Sequence, residues 1–238
     1  MILDFRSDTF TKPTKEMLEV MFQAEVGDDV FEEDPTINRL EALASSLFGM
    51  EAGLFCSSGT QTNQIAINIH TKPGDDIICD QQAHIHYYEG GGIAANSGAS
   101  VSLLAGKRGL VTSDQVKDAI QVDNVHFPRT SLVALENTAN KGGGSIYEMD
   151  TISEIKSICV EHNLGFHLDG ARVFNAVVER QYTAEDLGNK FDSISVCLSK
   201  GLGAPVGSVL LGTKEFIHQA RRVRKRFGGG MRQAGYLA

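Results

Sequence analysis

The sequence predicts an α/β domain on a largely parallel sheet, and three observations predict it. Short apolar runs recur along the chain with amphipathic segments between them, which is the pattern of alternating strands and helices. The runs are mostly apolar without clean alternation, as in strands buried on both faces. Polar or glycine-rich stretches follow several runs directly, and a sheet of this kind carries its functional residues at those strand ends. The 238 residues are 42% hydrophobic and 22% charged, which suits a folded domain.

Residues 1–11 place Asp4, Arg6, Ser7, Asp8 and Thr9 close together and read as an arm. Residues 12–22 have helical spacing, with Met17, Val20 and Met21 on one side and Pro13 in the expected first turn. The chain therefore divides into an arm with a first helix over 1–20 and a main domain over 21–238. Residues 36–48 predict a second amphipathic helix bearing Ile37, Leu40, Leu43, Ala44 and Leu47. Strand runs follow at 52–56, 76–79, 101–104, 132–135, 165–168, 193–198 and 208–211. Helical spacing fills 61–70, 113–119, 151–162 and the region around Ala184.

Several classes are disfavoured. The net charge is −8, and no stripe of lysines and aromatics precedes the C-terminal cluster of Arg221, Arg222, Arg224, Lys225 and Arg226, which argues against nucleic acid. That cluster reads as a charged helix face, a subunit contact or a rim around an anion. Cys56, Cys79, Cys159 and Cys197 sit in or beside apolar runs without metal or redox spacing, so a reducing, cytoplasmic setting is expected. The N-terminus has no signal-peptide layout, and no stretch is long enough to span a membrane.

Three strand ends carry chemistry. Ser57-Ser58-Gly59-Thr60 follows the 52–56 run and opens a helix, so its backbone N–H groups suit a phosphate. Simple helix capping by Ser and Thr is the plainer reading. Lys200 follows the 193–198 run and precedes Gly201-Leu202-Gly203, a setting for imine chemistry if partial burial keeps the amine reactive. An ordinary surface lysine is the alternative. Asp169 ends Phe166-His167-Leu168, and a carboxylate there needs a partner. A protonated pyridine nitrogen would serve, and so would Arg172 as a structural ion pair. His84, His86 and His126 are the histidines suited to stacking or proton transfer. No third ligand supports a metal at His84 and His86, and no serine elbow supports a hydrolase.

The same residues resemble a family. Arg6-Ser7-Asp8-Thr9, Val26-Gly27-Asp28-Asp29-Val30, Phe127-Pro128-Arg129-Thr130, Glu136-Asn137-Thr138, His167-Leu168-Asp169-Gly170-Ala171-Arg172, Leu198-Ser199-Lys200-Gly201-Leu202 and Gly228-Gly229-Gly230-Met231-Arg232-Gln233 match, in order, the low-specificity L-threonine aldolases. The resemblance implies the large domain of the aspartate-aminotransferase-like fold, a three-layer α/β/α arrangement with a mostly parallel seven-stranded sheet. It implies pyridoxal 5'-phosphate as cofactor, with Lys200 as its covalent anchor and Asp169 as partner of the ring nitrogen. Ser58, Gly59 and Thr60 resemble the phosphate cup. His84 resembles the histidine stacked on the ring near the substrate hydroxyl, and His126 a second histidine near the substrate side chain. Ser7 and Arg172 resemble part of the clamp on the substrate carboxylate.

The implied reaction is cleavage of L-threonine or L-allo-threonine to glycine and an aldehyde, in a homo-oligomer with sites near subunit interfaces. Alternatives are β-elimination, transamination, or a cofactor-binding domain without turnover. Gln61-Thr62 stands where the family commonly has methionine and a small residue. The family usually continues as a small C-terminal domain that adds an arginine to the clamp. Its absence from this sequence leads to the expectation of cofactor binding with poor threonine cleavage.

Overall fold

The computed structural model describes residues 4–238, so Met1, Ile2 and Leu3 of the expected arm lie outside the described residues. Seven strands form one sheet: β1 (Ala52–Cys56), β2 (Asp76–Asp80), β3 (Ser100–Leu104), β4 (Thr130–Glu136), β5 (Gly165–Asp169), β6 (Ser193–Cys197) and β7 (Ser208–Gly212). Their order across the sheet is β1-β7-β6-β5-β4-β2-β3. β7 runs antiparallel to both of its neighbours, β1 and β6, and the remaining pairs are parallel. Six strands therefore share one direction and present their C-terminal ends along one edge.

The helices are α1 (Lys15–Phe22), α2 (Pro35–Leu47), α3 (Gly59–His70), α4 (His84–Tyr87), α5 (Ser113–Ala119), α6 (Met149–Glu161), α7 (Val173–Arg180), α8 (Ala184–Gly188) and α9 (Lys214–Arg226). Their starts have local causes. Asp34 accepts the Thr36 and Ile37 N–H groups with Pro35 in the first turn of α2, and Thr112 and Gln115 form a reciprocal box at α5. Pro13, expected inside the first helix, instead precedes its cap, Thr14. Val20 of that helix is 70% exposed, so the expected apolar side reduces to half-buried Met17 and Met21.

Strand residues divide their side chains between two helical layers. In β1, Phe55 joins the core beneath α2, α5, α6, α7 and α8, while Leu54 and Cys56 pack with Ile65, Ile217 and Ala220 of α3 and α9. Along α3, Thr62 to Ile67 are all buried, three apolar and three polar. A helix covered along that whole stretch can aim polar side chains at the sheet's C-terminal edge.

Of the basic cluster on α9, Arg224 is buried and Arg221 half-buried, while Arg222, Lys225 and Arg226 are exposed. Arg224, 3% exposed, meets Asp29 at 2.7 Å and donates to the Phe55 carbonyl at 2.6 Å. Arg221 pairs with Glu32 and Glu41, each at 2.6 Å. No described helix is long and apolar enough to cross a membrane.

Candidate active site

Asp169 ends β5 and is 3% exposed. Its Oδ1 accepts the Ala171 N–H at 3.1 Å and its Oδ2 accepts from Asn63 Nδ2 at 2.9 Å. Its backbone neighbour in register on β4 is Glu136, another acid at a strand end. Glu136 accepts the backbone N–H groups of His84 and Asn140, both at 3.0 Å. Burial pushes Glu136 up to about 7, and the negative charge of Asp169 adds to the shift.

Asn63 also donates to Glu89 Oε1 at 2.9 Å, and Gln64 donates to Glu89 Oε2 at 2.6 Å. The same Glu89 Oε1 lies 2.9 Å from His84 Nδ1. This contact raises the His84 pKa from its ordinary value against the cost of burial, and the charges of Asp169, Glu89 and Glu136 reinforce it. His84, Glu89 and Asp169 thus form one cluster, with single oxygen or nitrogen atoms all within 4.8 Å. His84 also faces Tyr88, ring centroids 5.6 Å apart.

Lys200 follows β6. Its Nζ donates to Cys197 Sγ at 3.2 Å, and Ser208 Oγ donates to the same sulfur at 3.1 Å. The Lys200 carbonyl accepts from Thr11, tying the arm to the strand end. Ser58 caps α3 by accepting the Gln61 N–H at 3.2 Å. The Gly59 and Thr60 N–H groups, in the first turn, find no acceptor among the described residues. A Cβ at Gly59 would lie 2.6 Å from Cys197 Sγ, so only glycine lets this turn approach the lysine strand so closely.

Arg172 pairs with Asp8 and not with Asp169. Its Nε and Nη2 donate to the two Asp8 oxygens at 2.8 and 2.7 Å. The pair holds the Asp8 carboxyl below, and the Arg172 guanidinium above, their ordinary values. Ser7, beside it, accepts the Thr9 N–H as the cap of a short turn. A cleft of about 80 Å³ between the arm and the strand ends is lined by Asp8, Arg172, Cys197 and Gly201. A larger, open hollow of about 540 Å³ lies between α2 and α9, beside the start of β1 and away from these strand ends.

The structure brings Lys200, Asp169, His84, Ser58, Gly59, Thr60, Arg172 and Ser7 to the C-terminal edge of the sheet or its arm. His126 is not brought there. It is exposed on the loop before β4, at the opposite end of that strand from Glu136. Seven strand residues at about 3.3 Å each separate the two ends by roughly 20 Å. Sequence reasoning missed Asn63, Glu89 and Glu136. Glu136 carried a signal, since it ends an apolar run as Asp169 does. Asn63 and Glu89 act through contacts between elements and carried none. Gln61, where the family commonly has methionine, accepts from Ser57 N–H and packs beneath Gly229.

Known proteins share this sequence and fold. The beta-eliminating lyase family profile matches residues 4–238. The chain belongs to the beta-eliminating lyase family. Within it, the chain is 43% identical over its whole length to a low specificity L-threonine aldolase of Escherichia coli K12, covering 71% of that protein. It is 44% identical to a low-specificity L-threonine aldolase of Eremothecium gossypii over 98% of the chain and 62% of the relative. It covers 57% of an uncharacterized Caenorhabditis elegans protein, at 43% identity over 99% of the chain. The chain thus spans roughly three-fifths to seven-tenths of these relatives. Among solved structures, a threonine aldolase of Leishmania major superposes with a TM-score of 0.87 at 25% identity, over 97% of this chain and 68% of that one. The three-layer α/β/α fold with a mostly parallel seven-stranded sheet is the fold of this lyase family.

Proposed function

We propose that the chain is the cofactor-binding part of a pyridoxal-phosphate enzyme that cleaves β-hydroxy-α-amino acids, L-threonine and L-allo-threonine among them, to glycine and an aldehyde. One observation carries the reading. An amine at Lys200, a buried carboxylate at Asp169 and unpaired amides at Gly59 and Thr60 sit on one sheet edge, in a chain whose relatives are named for threonine aldol cleavage.

The donor set suits the cofactor. Gly59 and Thr60 N–H groups at the start of α3, with the Ser58 and Thr60 hydroxyls, would hold its phosphate. Asp169 would accept from the protonated ring nitrogen, and Lys200 would supply the amine for covalent attachment. When bound, the cofactor supplies the sink for the electron pair left on Cα as the Cα–Cβ bond breaks. His84, oriented by Glu89, would stand beside the bound cofactor and move a proton at the substrate hydroxyl. Arg172 orients the substrate carboxylate with Ser7. Asp8 occupies one edge of the guanidinium through Nε and Nη2 and leaves Nη1 for the ligand. His126 serves only if a neighbouring subunit delivers it, which fits a homo-oligomer with sites near its interfaces. Residues 4–20 act as an arm over the domain formed by 21–238. The four buried free cysteines favour a reducing, cytoplasmic setting.

The family's description favours β-elimination as a second reading. Product analysis of the purified chain with L-threonine separates them: glycine and acetaldehyde support aldol cleavage, ammonia and a keto acid support elimination. Asp169→Ala is expected to lower turnover by at least ten- to hundredfold, since a hydrogen bond to a charged group contributes roughly 1.5–3 kcal/mol. Near-full turnover with full cofactor in that variant would show that Asp169 is not the partner of the ring nitrogen.

A further inference from the structure

Asn63 lies on the inner face of α3, one turn beyond the Gly59 and Thr60 amides, and has no part in the proposed reaction. Its amide nitrogen carries two hydrogens, and both are engaged: one on Asp169 Oδ2 and one on Glu89 Oε1, each at 2.9 Å. Carboxylates accept and do not donate, so the amide nitrogen must face them. The amide oxygen then points to His167 Nε2, 3.1 Å away, which must carry a proton.

The direction of every further bond follows. Burial holds His167 down to about 3, so the ring is neutral and its Nδ1 is an acceptor. Ser193 Oγ lies 2.8 Å from that Nδ1 and donates to it. The Ser193 oxygen is then left to accept from His70 Nε2, also at 2.8 Å. Burial lowers His70 to about 4, so it too is neutral and protonated on Nε2. One consistent direction satisfies the whole chain from His70 to Asp169.

We propose that Asn63 is a positioning residue of the cofactor site: its amide, kept from flipping by the His70–Ser193–His167 chain, holds the Asp169 carboxylate and the Glu89–His84 pair in fixed relation. The proposal rests on the reading of Asp169 as partner of the cofactor's ring nitrogen. Without the amide, Asp169 Oδ2 and Glu89 Oε1 face each other in a buried region. Like charges so placed repel, and among the described residues only the Ala171 N–H then holds the Asp169 carboxylate. An Asp169 turned from its place is a poorer partner for a cationic ring. Loss of Asn63 is therefore felt at the ring nitrogen through the carboxylate alone.

The test uses the full chain with ¹⁵N-histidine and pyridoxal phosphate ¹⁵N-labelled in the ring. Wild-type His70 and His167 are expected as neutral Nε2–H rings that do not titrate near neutral pH, and the bound pyridine is expected to be protonated. Asn63→Leu is expected to move the pyridine signal toward the unprotonated form and weaken cofactor binding about ten- to hundredfold, the scale of one hydrogen bond to a charged group. Ser193→Ala, away from the carboxylates, should let His167 populate its other tautomer. A wild-type His167 seen as Nδ1–H or as imidazolium overturns the proposal. So does a folded Asn63→Leu variant with wild-type pyridine signal and affinity. If Asn63→Leu does not fold, the wild-type histidine spectrum and Ser193→Ala decide. A protonated pyridine retained in Asp169→Ala overturns the reading of Asp169 instead, because the histidine spectrum of cofactor-free protein reads the amide lock independently.

Discussion

His84 gains its raised pKa chiefly from the hydrogen bond to Glu89, with three nearby carboxylates favouring the imidazolium and burial opposing it. The folded state therefore binds this proton more tightly than the unfolded chain does. The stabilisation is full below the ordinary histidine value and is lost as pH rises through the raised one. Glu89→Gln is expected to bring His84 back down toward its ordinary value in a histidine NMR titration, and an unchanged titration would show that Glu89 is not the cause. Glu136, also raised on folding, works in the same sense over a lower range of pH. Its rise to about 7 weakens the fold as pH climbs from the ordinary carboxylate range toward that value. Asp169→Asn should lower it, as read by carboxyl ¹³C titration; a Glu136 value that stays put would leave burial as the whole cause. At this scale, the strand-end positions of Lys200, Asp169 and the Ser58–Thr60 turn were legible because each directly follows an apolar run. Asn63 was not, because its role consists of bonds to residues 26 and 106 positions away. Glu89 lies five residues from His84 but does not follow an apolar run.

Helix α3 joins the Ser58–Thr60 turn to the carboxylate cluster, so its first turn is the element most sensitive to added bulk. Gly59→Ala would set a Cβ 2.6 Å from Cys197 Sγ, beneath Lys200. Overpacking of this kind typically costs about 1–3 kcal/mol. The variant should unfold at lower denaturant and bind pyridoxal phosphate more weakly; wild-type values for both would mean that the turn has room that its geometry denies. The seven strands and most helices were legible from apolar runs and helical spacing. The reversed direction of β7 also had a signal, since the link from Cys197 to Ser208 holds no helix and is too short for a parallel crossover. The length of the first helix was overread, because Thr14 and not Lys12 opens it. The position of His126 at the N-terminal end of β4 was legible, since it precedes the 132–135 run, but the family motif was followed instead.

Across the whole molecule, six strands of common direction gather an amine, two strand-end acids and a helix start on one edge, and the arm closes on that edge through Asp8–Arg172 and Thr11–Lys200. Alternating apolar runs made this architecture predictable, and the reversed β7 leaves β1 and β6 aligned, so both deliver residues to the same side. The central claim is that this edge holds pyridoxal phosphate on Lys200. Borohydride reduction of the cofactor-loaded chain, followed by peptide mapping, tests it most directly. The expected result is loss of the cofactor's visible absorption and a reduced pyridoxyl label on the peptide containing Lys200. A label on another lysine, or no covalent label under conditions of full binding, would contradict it.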